Sequence, residues 1–235
     1  MKKLSQHVII CGAGSVAQQV YKQLTAGEND VDILFISEKG DELSEILGDD
    51  VLRLIADPAD NRILQKARLT EARALIAAME EDSQNVFITL AAKSLNGSIE
   101  VSAIAAQEDS GEILRRAGAD HIIIPSVIGG REAAMSVLCP SGAEYISELL
   151  QTASDAFSIG ELPVNEYPYL KGKTLEKLQL HDQDQVIPAA VSREGRLVSN
   201  PGNSFHLQTE DVLLVLGKQE DIRNLQEKLL AADRH

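Results

Sequence analysis

Tryptophan is missing from this 235-residue sequence, and only 3% of it is aromatic. Aromatic rings ordinarily supply the largest buried areas, so any core here must be aliphatic and alanine-rich. Cysteine is nearly absent too: Cys11 and Cys139 are the only two, in no C-x-x-C pair and at no zinc-ligand spacing. That argues against a disulfide framework and against a structural zinc site. Both thiols are expected to pack as small apolar residues in a reducing cytosol. No apolar run approaches the ~20 residues a membrane-spanning helix requires. Met1 to His7 leads into a strand pattern rather than a signal-peptide core. Basic residues are outnumbered, 22 to 36 acidic, for a net charge of −14. This balance disfavours non-specific contact with nucleic acid or an anionic membrane and suits a solvated acidic surface. A soluble, cytoplasmic chain is therefore expected. Hydrophobic residues make up 44% of it, enough for a genuine core in one large domain or two modest ones.

What is present begins near the start. Val8-Ile9-Ile10-Cys11 runs into Gly12-Ala13-Gly14-Ser15-Val16-Ala17, and Glu38 follows 21 residues after Ala17. This is a G-x-G-x-x-A turn between a strand and a helix, with an acid downstream. Gly12 permits the tight turn, Gly14 lets a pyrophosphate approach the backbone, and Ala17 lets the helix lie close on the strand. Phosphates would sit at the helix N-terminus, where unpaired N–H groups and the macrodipole favour negative charge. Glu38 ends the next apolar run, where a carboxylate can accept both hydrogen bonds of a ribose diol. Such an acid disfavours a 2′-phosphate, leaving NAD(H), ADP, ATP or AMP as ligands.

Strand and helix patterns then alternate. Strands are expected at 7–11, 31–37, 51–56, 73–78, 99–105 and 121–125, mostly as continuous apolar runs suited to parallel strands covered on both faces. Helices are expected at about 15–26, from near Ser83 with Val86, Phe87, Leu90 and Ala91 facing inward, and from Glu108 to Arg116 with Gly118 as C-terminal cap. The fold expected is α/β: a Rossmann-like, doubly wound parallel sheet with a small α+β lobe. Beyond Pro125 the pattern changes to a long helical stretch over 127–151, interrupted by Pro140-Ser141-Gly142. Strand-like Phe157–Val164, a short helix at Thr174–Leu178, strand-like Val186–Ser192, Arg196–Ser199 and Asp211–Leu216, and a helix at Asp221–Leu230 follow. A lobe of about 80 residues has a marginal core by itself, so pairing with a second copy is expected.

Motifs along the whole chain carry a resemblance. They are His7 to Gly12, Ala56-Asp57-Pro58, Ala67 through Leu75, Arg116-Ala117-Gly118-Ala119-Asp120-His121 and Pro125. Further on come Gly172-Lys173-Thr174-Leu175, Ala190 to Gly195, and Thr209 to Leu213. Together they resemble the RCK domain, the regulator of potassium conductance found in the cytosolic gating ring of potassium channels and as the regulatory subunit of Trk/Ktr-type uptake systems. The resemblance implies a Rossmann-like nucleotide-binding lobe at 1–126, crossover and dimerisation helices at 127–152, and a small α+β lobe at 153–235. It also implies a homo-oligomer, from a dimer up to an octameric ring, attached at the inner face of the membrane to a potassium pore. Lys2 to His7 resembles the segment that follows a pore helix in channel-fused members.

The pocket implied is Gly12, Ala13, Gly14, Ser15 and Val16 for phosphates, Glu38 for the ribose, and Asp57 with Pro58 at the adenine. Ala77, Ala78 and Met79 would form the floor. Asp57 equally suits the cap of a helix at Asn61–Lys66, and Asp82-Ser83 suits the cap of the helix containing Asn85. Lys39 could neutralise a phosphate or simply sit exposed beside Glu38. Where some relatives carry a basic residue in the glycine turn, this chain has Ser15. Ala77-Ala78 and Ala103 to Ala106 stand where calcium-gated members place acids, so that calcium site is not expected; the acidic clusters Glu80-Glu81-Asp82 and Glu108-Asp109 could bind a hard cation but better suit solvated helix starts. The competing reading is an NAD-dependent oxidoreductase. It lacks an evident acid–base residue: the histidines at 7, 121, 181, 206 and 235 have no evident orienting partner. A redox-sensing repressor would need a basic helix-turn-helix, for which the acidic chain offers no candidate.

Overall fold

The computed structural model describes residues 4–26, 31–39, 48, 51–149, 157–180 and 184–232. The chain divides into two compact units, Met1–Leu138 and Cys139–His235. Residues 1–3, His181, His235 and the expected boundary between 152 and 153 lie outside the described residues.

The first unit is built on six parallel strands: β1 (Val8–Cys11), β2 (Ile33–Ser37), β3 (Leu52–Ile55), β4 (Ala74–Ala77), β5 (Glu100–Ile104) and β6 (His121–Ile123). Their spatial order is β3-β2-β1-β4-β5-β6, so the direction of winding reverses between β1 and β4. All the expected strands form. Side chains alternate across the sheet: Ile9, Cys11, Leu34 and Ile36 enter one apolar cluster, while Val8, Ile10, Ile33 and Phe35 enter the other. Both faces of β1 and β2 are therefore buried, which is why these strands read as unbroken apolar runs. Helix α1 (Ser15–Thr25) lays Val16, Ala17, Val20 and Leu24 on the second cluster. On the first cluster lie α2 (Asn61–Lys66), α3 (Asp82–Leu95) and α4 (Glu108–Ala117), through Leu64, Ile88, Ala92 and Leu114. Gly118, at φ +103°, caps α4 in the left-handed conformation, as expected.

The inward face of α3 matches the expected stripe only in part: Val86 and Ala91 pack against the core, but Phe87 and Leu90 do not. Phe87 and Leu90 are 62% and 48% exposed, and the buried residues are Asn85, Ile88, Thr89 and Ala92. Asn85 sets this rotation. Its Oδ1 accepts from the Met79 N–H at 2.8 Å, and its Nδ2 donates to the carbonyls of Met79 at 3.0 Å and Ile104 at 2.9 Å. A polar side chain inside the core thus ties the ends of β4 and β5 together, which apolar periodicity could not reveal. Asn85→Ala should destabilise the protein by about 2–3 kcal/mol, because it leaves an N–H and two carbonyls unpaired in the interior. Thermal denaturation checks this.

Helix α5 (Pro125–Leu138) ends the first unit and α6 (Pro140–Leu149) opens the second. The break falls at Cys139, not across Pro140 to Gly142: Pro140 begins α6, where its missing N–H costs nothing. Cys139 is exposed rather than packed, whereas Cys11 is buried and its thiol pKa is pushed far up by burial. The second unit has the antiparallel order β7-β10-β8-β9, from β7 (Phe157–Pro163), β8 (Ile187–Arg193), β9 (Arg196–Ser199) and β10 (Asp211–Lys218). Between β7 and β8 lies the short helix α7 (Leu175–Leu178), capped by Thr174. Helix α8 (Gln219–Ala232) seats Ile222, Leu225 and Leu229 in this unit's core. A Cβ at Gly160 of β7 would come within 2.6 Å of Ile222 Cγ2, so the absent side chain sets the close approach of α8. Where β8 ends and β10 begins, Asp211 and Arg193 are cross-strand partners, and Asp211 accepts from Arg193 Nε and Nη2, both at 2.7 Å.

Candidate functional site

The crevice expected from the glycine turn lies where the strand order reverses, beyond the carboxyl ends of β1, β2 and β4. Backbone bonds stitch these ends together: the Gly12 N–H donates to Ile36 O at 3.0 Å, and the Ala78 N–H to Cys11 O at 2.8 Å. The two glycines act differently. Gly12 has φ +126°, and a Cβ there would lie 2.4 Å from the Ala78 carbonyl oxygen, so it is required by the fold itself. Gly14 has ordinary φ −66° as the N-cap of α1. Its open side faces the crevice, where a Cβ would meet Glu80 Cγ at 3.6 Å and Oε1 at 3.7 Å.

The N-terminus of α1 suits an anion. No side chain caps it, and its first turn carries no acid. By contrast, Asp60 caps α2, and α4 brings Glu108 and Asp109 to its first turn. Those two ends supply their own negative charge, whereas the N–H groups at the start of α1 have no side-chain cap.

Two adjoining chambers share Gly14, Met79 and Glu80. The smaller, about 130 Å³, also touches Gly12, Ala13, Ser37, Glu38, Lys39, Glu81 and Gln84. The larger, about 330 Å³, runs past Ser15, Val16 and Ala78 to Asp82, Ile104, Ala105, Ala106, Pro125 and Ser126. Glu38 and Lys39 are exposed at the mouth, and Lys39 Nζ reaches Glu80 Oε2 at 3.7 Å.

Most of the site residues read from sequence thus come together, but not all. Ala77 is buried in the core and lines neither chamber. Asp57 is exposed at the end of β3, its Oδ1 accepting the Ala59 N–H at 2.9 Å; the cap of α2 is Asp60 instead. Pro58 is buried beside it and, like Asp57, lines neither chamber. Asp82 is not a cap either: it is the first residue of α3, and its Oδ1 accepts the Ala106 N–H at 2.8 Å, tying the starts of two loops. Two histidines do have partners, since His7 Nε2 lies 2.9 Å from Ala67 O and His121 Nε2 2.9 Å from Glu100 Oε1. Neither lines a chamber. Ala105, Ala106, Pro125 and Ser126 were not expected as site residues, and Glu80 was expected only as part of an acidic cluster at a helix start. Their signal was positional, since each directly follows the carboxyl end of β4, β5 or β6. Among the described residues no group of His, Cys, Asp or Glu is placed to hold a metal ion.

Residues 8–125, the whole sheet with its crevice, match the family model of the TrkA-N domain. The chain belongs to the TrkA-N family. Residues 159–230 match the TrkA-C domain, so both domains occur in one chain. Among curated relatives of this TrkA-N protein, Potassium channel protein 1 of Methanocaldococcus jannaschii is 29% identical over 229 residues, covering 96% of this chain and 67% of its own. The Ktr system potassium uptake protein C of Bacillus subtilis is 24% identical over 229 residues, covering 97% and 99%. Among solved structures, the human SLO3 gating ring aligns with a TM-score of 0.68 at 13% identity, over 93% of this chain and 45% of that one. The GsuK channel bound to NAD aligns with a TM-score of 0.50 at 21% identity, over 97% and 39%. The TrkA-N protein therefore shares the RCK fold, and spans less than half of those solved chains.

Proposed function

We propose that this chain is a ligand-sensing regulatory domain controlling potassium flux through a channel or transporter pore, in response to an adenine nucleotide or NAD(H). The carrying observation is an uncapped α1 N-terminus opening, beside Gly14 and Glu38, onto the crevice of a TrkA-N domain joined to a TrkA-C domain. Relatives named as potassium channel and potassium uptake proteins support the transport setting. On this reading the chain is a regulator rather than an enzyme, and its ligand acts by binding one conformation of the assembly more tightly than the other. Its place is the cytoplasmic side of a membrane pore; no described helix is long and apolar enough to cross the membrane. Isothermal titration calorimetry with NAD(H), ADP, ATP and AMP tests the ligand, and failure of all of them to bind would overturn it.

The output requires assembly, with residues 127–152 as the crossover and dimerisation segment. No residue of α5 is buried; Val137 and Leu138 are 79% and 83% exposed, and Tyr145 and Ile146 of α6 are also uncovered. Apolar side chains displayed in this way suit a second copy of the chain. Phe87 and Leu90 on α3 and Ile113 on α4 are uncovered as well, and a ring of dimers needs a second contact surface. Light scattering at micromolar concentration should report at least a dimer. Val137→Asp with Leu138→Asp should shift it towards monomer, whereas a strictly monomeric parent chain counts against the gating-ring reading.

A further inference from the structure

Glu80 occupies an unexpected place for a carboxylate. It follows β4, its Cγ and Oε1 lie against the open side of Gly14, and it lines both chambers. Any pyrophosphate entering over Gly14 must displace it. The backbone on which it rides is held, because Asn85 clamps both the N–H and the carbonyl of Met79. The side chain must therefore swing while its root stays fixed. Lys39 pairs with it across the mouth at 3.7 Å, and both side chains are exposed, so the pair restrains it weakly.

Beyond Glu80 the larger chamber is walled by Val16, Ala78, Met79, Ile104, Ala105 and Pro125, with Asp82 and Ser126 at its polar positions. Its described lining includes carboxylates and no cationic side chain. A terminal phosphate entering there would meet Glu80 and Asp82 with no counter-charge. A nucleoside would instead find apolar walls, with a carboxylate able to accept the hydrogen bonds of a diol. The smaller chamber already offers Glu38 for one ribose. The sequence of groups along the crevice is thus carboxylate, anion cradle, carboxylate, complementary to diol, pyrophosphate, diol.

We infer that Glu80 is the specificity-determining residue of this pocket, selecting a dinucleotide over mononucleoside di- and triphosphates. This rests on the nucleotide reading above and assigns its ligand class. Displaced by the pyrophosphate, Glu80 turns into the larger chamber, where it accepts from the second ribose and repels a terminal phosphate.

The test is calorimetry on the full chain with NAD⁺, NADH, ADP and ATP in magnesium-free buffer, for the parent, Glu80→Gln and Glu100→Gln. The parent should bind NAD⁺ or NADH at least about tenfold more tightly than ATP, a ratio that Glu80→Gln narrows by about tenfold through removal of one nearby charge. Glu100→Gln, which removes the same charge at the amino end of β5 and outside both chambers, should leave the ratio within about twofold. A parent that binds ATP as tightly as NAD(H) overturns the inference, as do equal effects of the two variants or an unchanged ratio in Glu80→Gln. Silence towards all four ligands in a folded parent overturns the nucleotide reading itself, and the two failures are thereby distinct.

Discussion

Gly14→Asp should lower affinity for NAD(H) and adenine nucleotides by at least about 100-fold, while leaving the melting temperature within a few degrees of the parent. The fold tolerates the change because Gly14 has ordinary backbone angles and a new Cβ would find only van der Waals contact with Glu80. Asp is moreover a favoured N-cap residue, so the α1 terminus gains a partner for its N–H groups. That gain is what removes the site: the introduced carboxylate satisfies the donors that a phosphate would use and adds negative charge beside Glu80. Gly12→Ala should behave in the opposite way. A Cβ 2.4 Å from the Ala78 carbonyl at φ +126° must strain or displace the β1–β4 junction, so its first effect is on stability. Calorimetry and thermal denaturation on both variants separate the roles. A Gly14→Asp chain that binds like the parent would show that the cradle lies elsewhere.

Arg193→Met is the second change with a large expected effect, at about 3 kcal/mol of destabilisation and more than about 10 °C of melting temperature. Asp211 is almost fully buried and accepts from Arg193 twice and from the Gln208 N–H at 2.7 Å. Removing the guanidinium strands a buried carboxylate with one backbone donor. The Arg193 hydrogen bonds hold the Asp211 carboxyl below the ordinary carboxylate range, against the opposing effect of burial and with help from Gln208. A carboxyl whose folded pKa is depressed stabilises the fold above its unfolded pKa of about 4, and that contribution disappears as pH falls through the lower folded value. The stability gap between parent and variant should therefore be widest near neutrality and shrink below about pH 4. Urea denaturation across that range checks the sign, and a gap that widens on acidification would overturn this assignment.

Local rules made much of the molecule legible. The six strands, the glycine turn and the Gly118 cap each depend on residue type at a fixed spacing. Glu38 could be placed at the crevice because it ends a strand adjacent to β1. The errors had a different origin. Apolar periodicity assigned Phe87 and Leu90 inward, but the Asn85 hydrogen bonds to two strand ends rotate α3 away from that face. Asp82 looked like a cap from its own neighbours, yet its partner is Ala106, 24 residues away. Cys139 looked buried because its flanks are helical, and it stands exposed in the break between α5 and α6.

The sequence alone determined the glycine turn between β1 and α1, since the absence of side chains at Gly12 and Gly14 and the small Ala17 are properties of a few consecutive residues. Only the tertiary structure decided what a ligand at that turn would meet. Strand order brings the ends of β4, β5 and β6 beside β1, so Glu80, Ile104 and Pro125 share a chamber with Gly14 despite their separation along the chain. Charge and shape across that chamber depend on through-space neighbours, which no local pattern encodes.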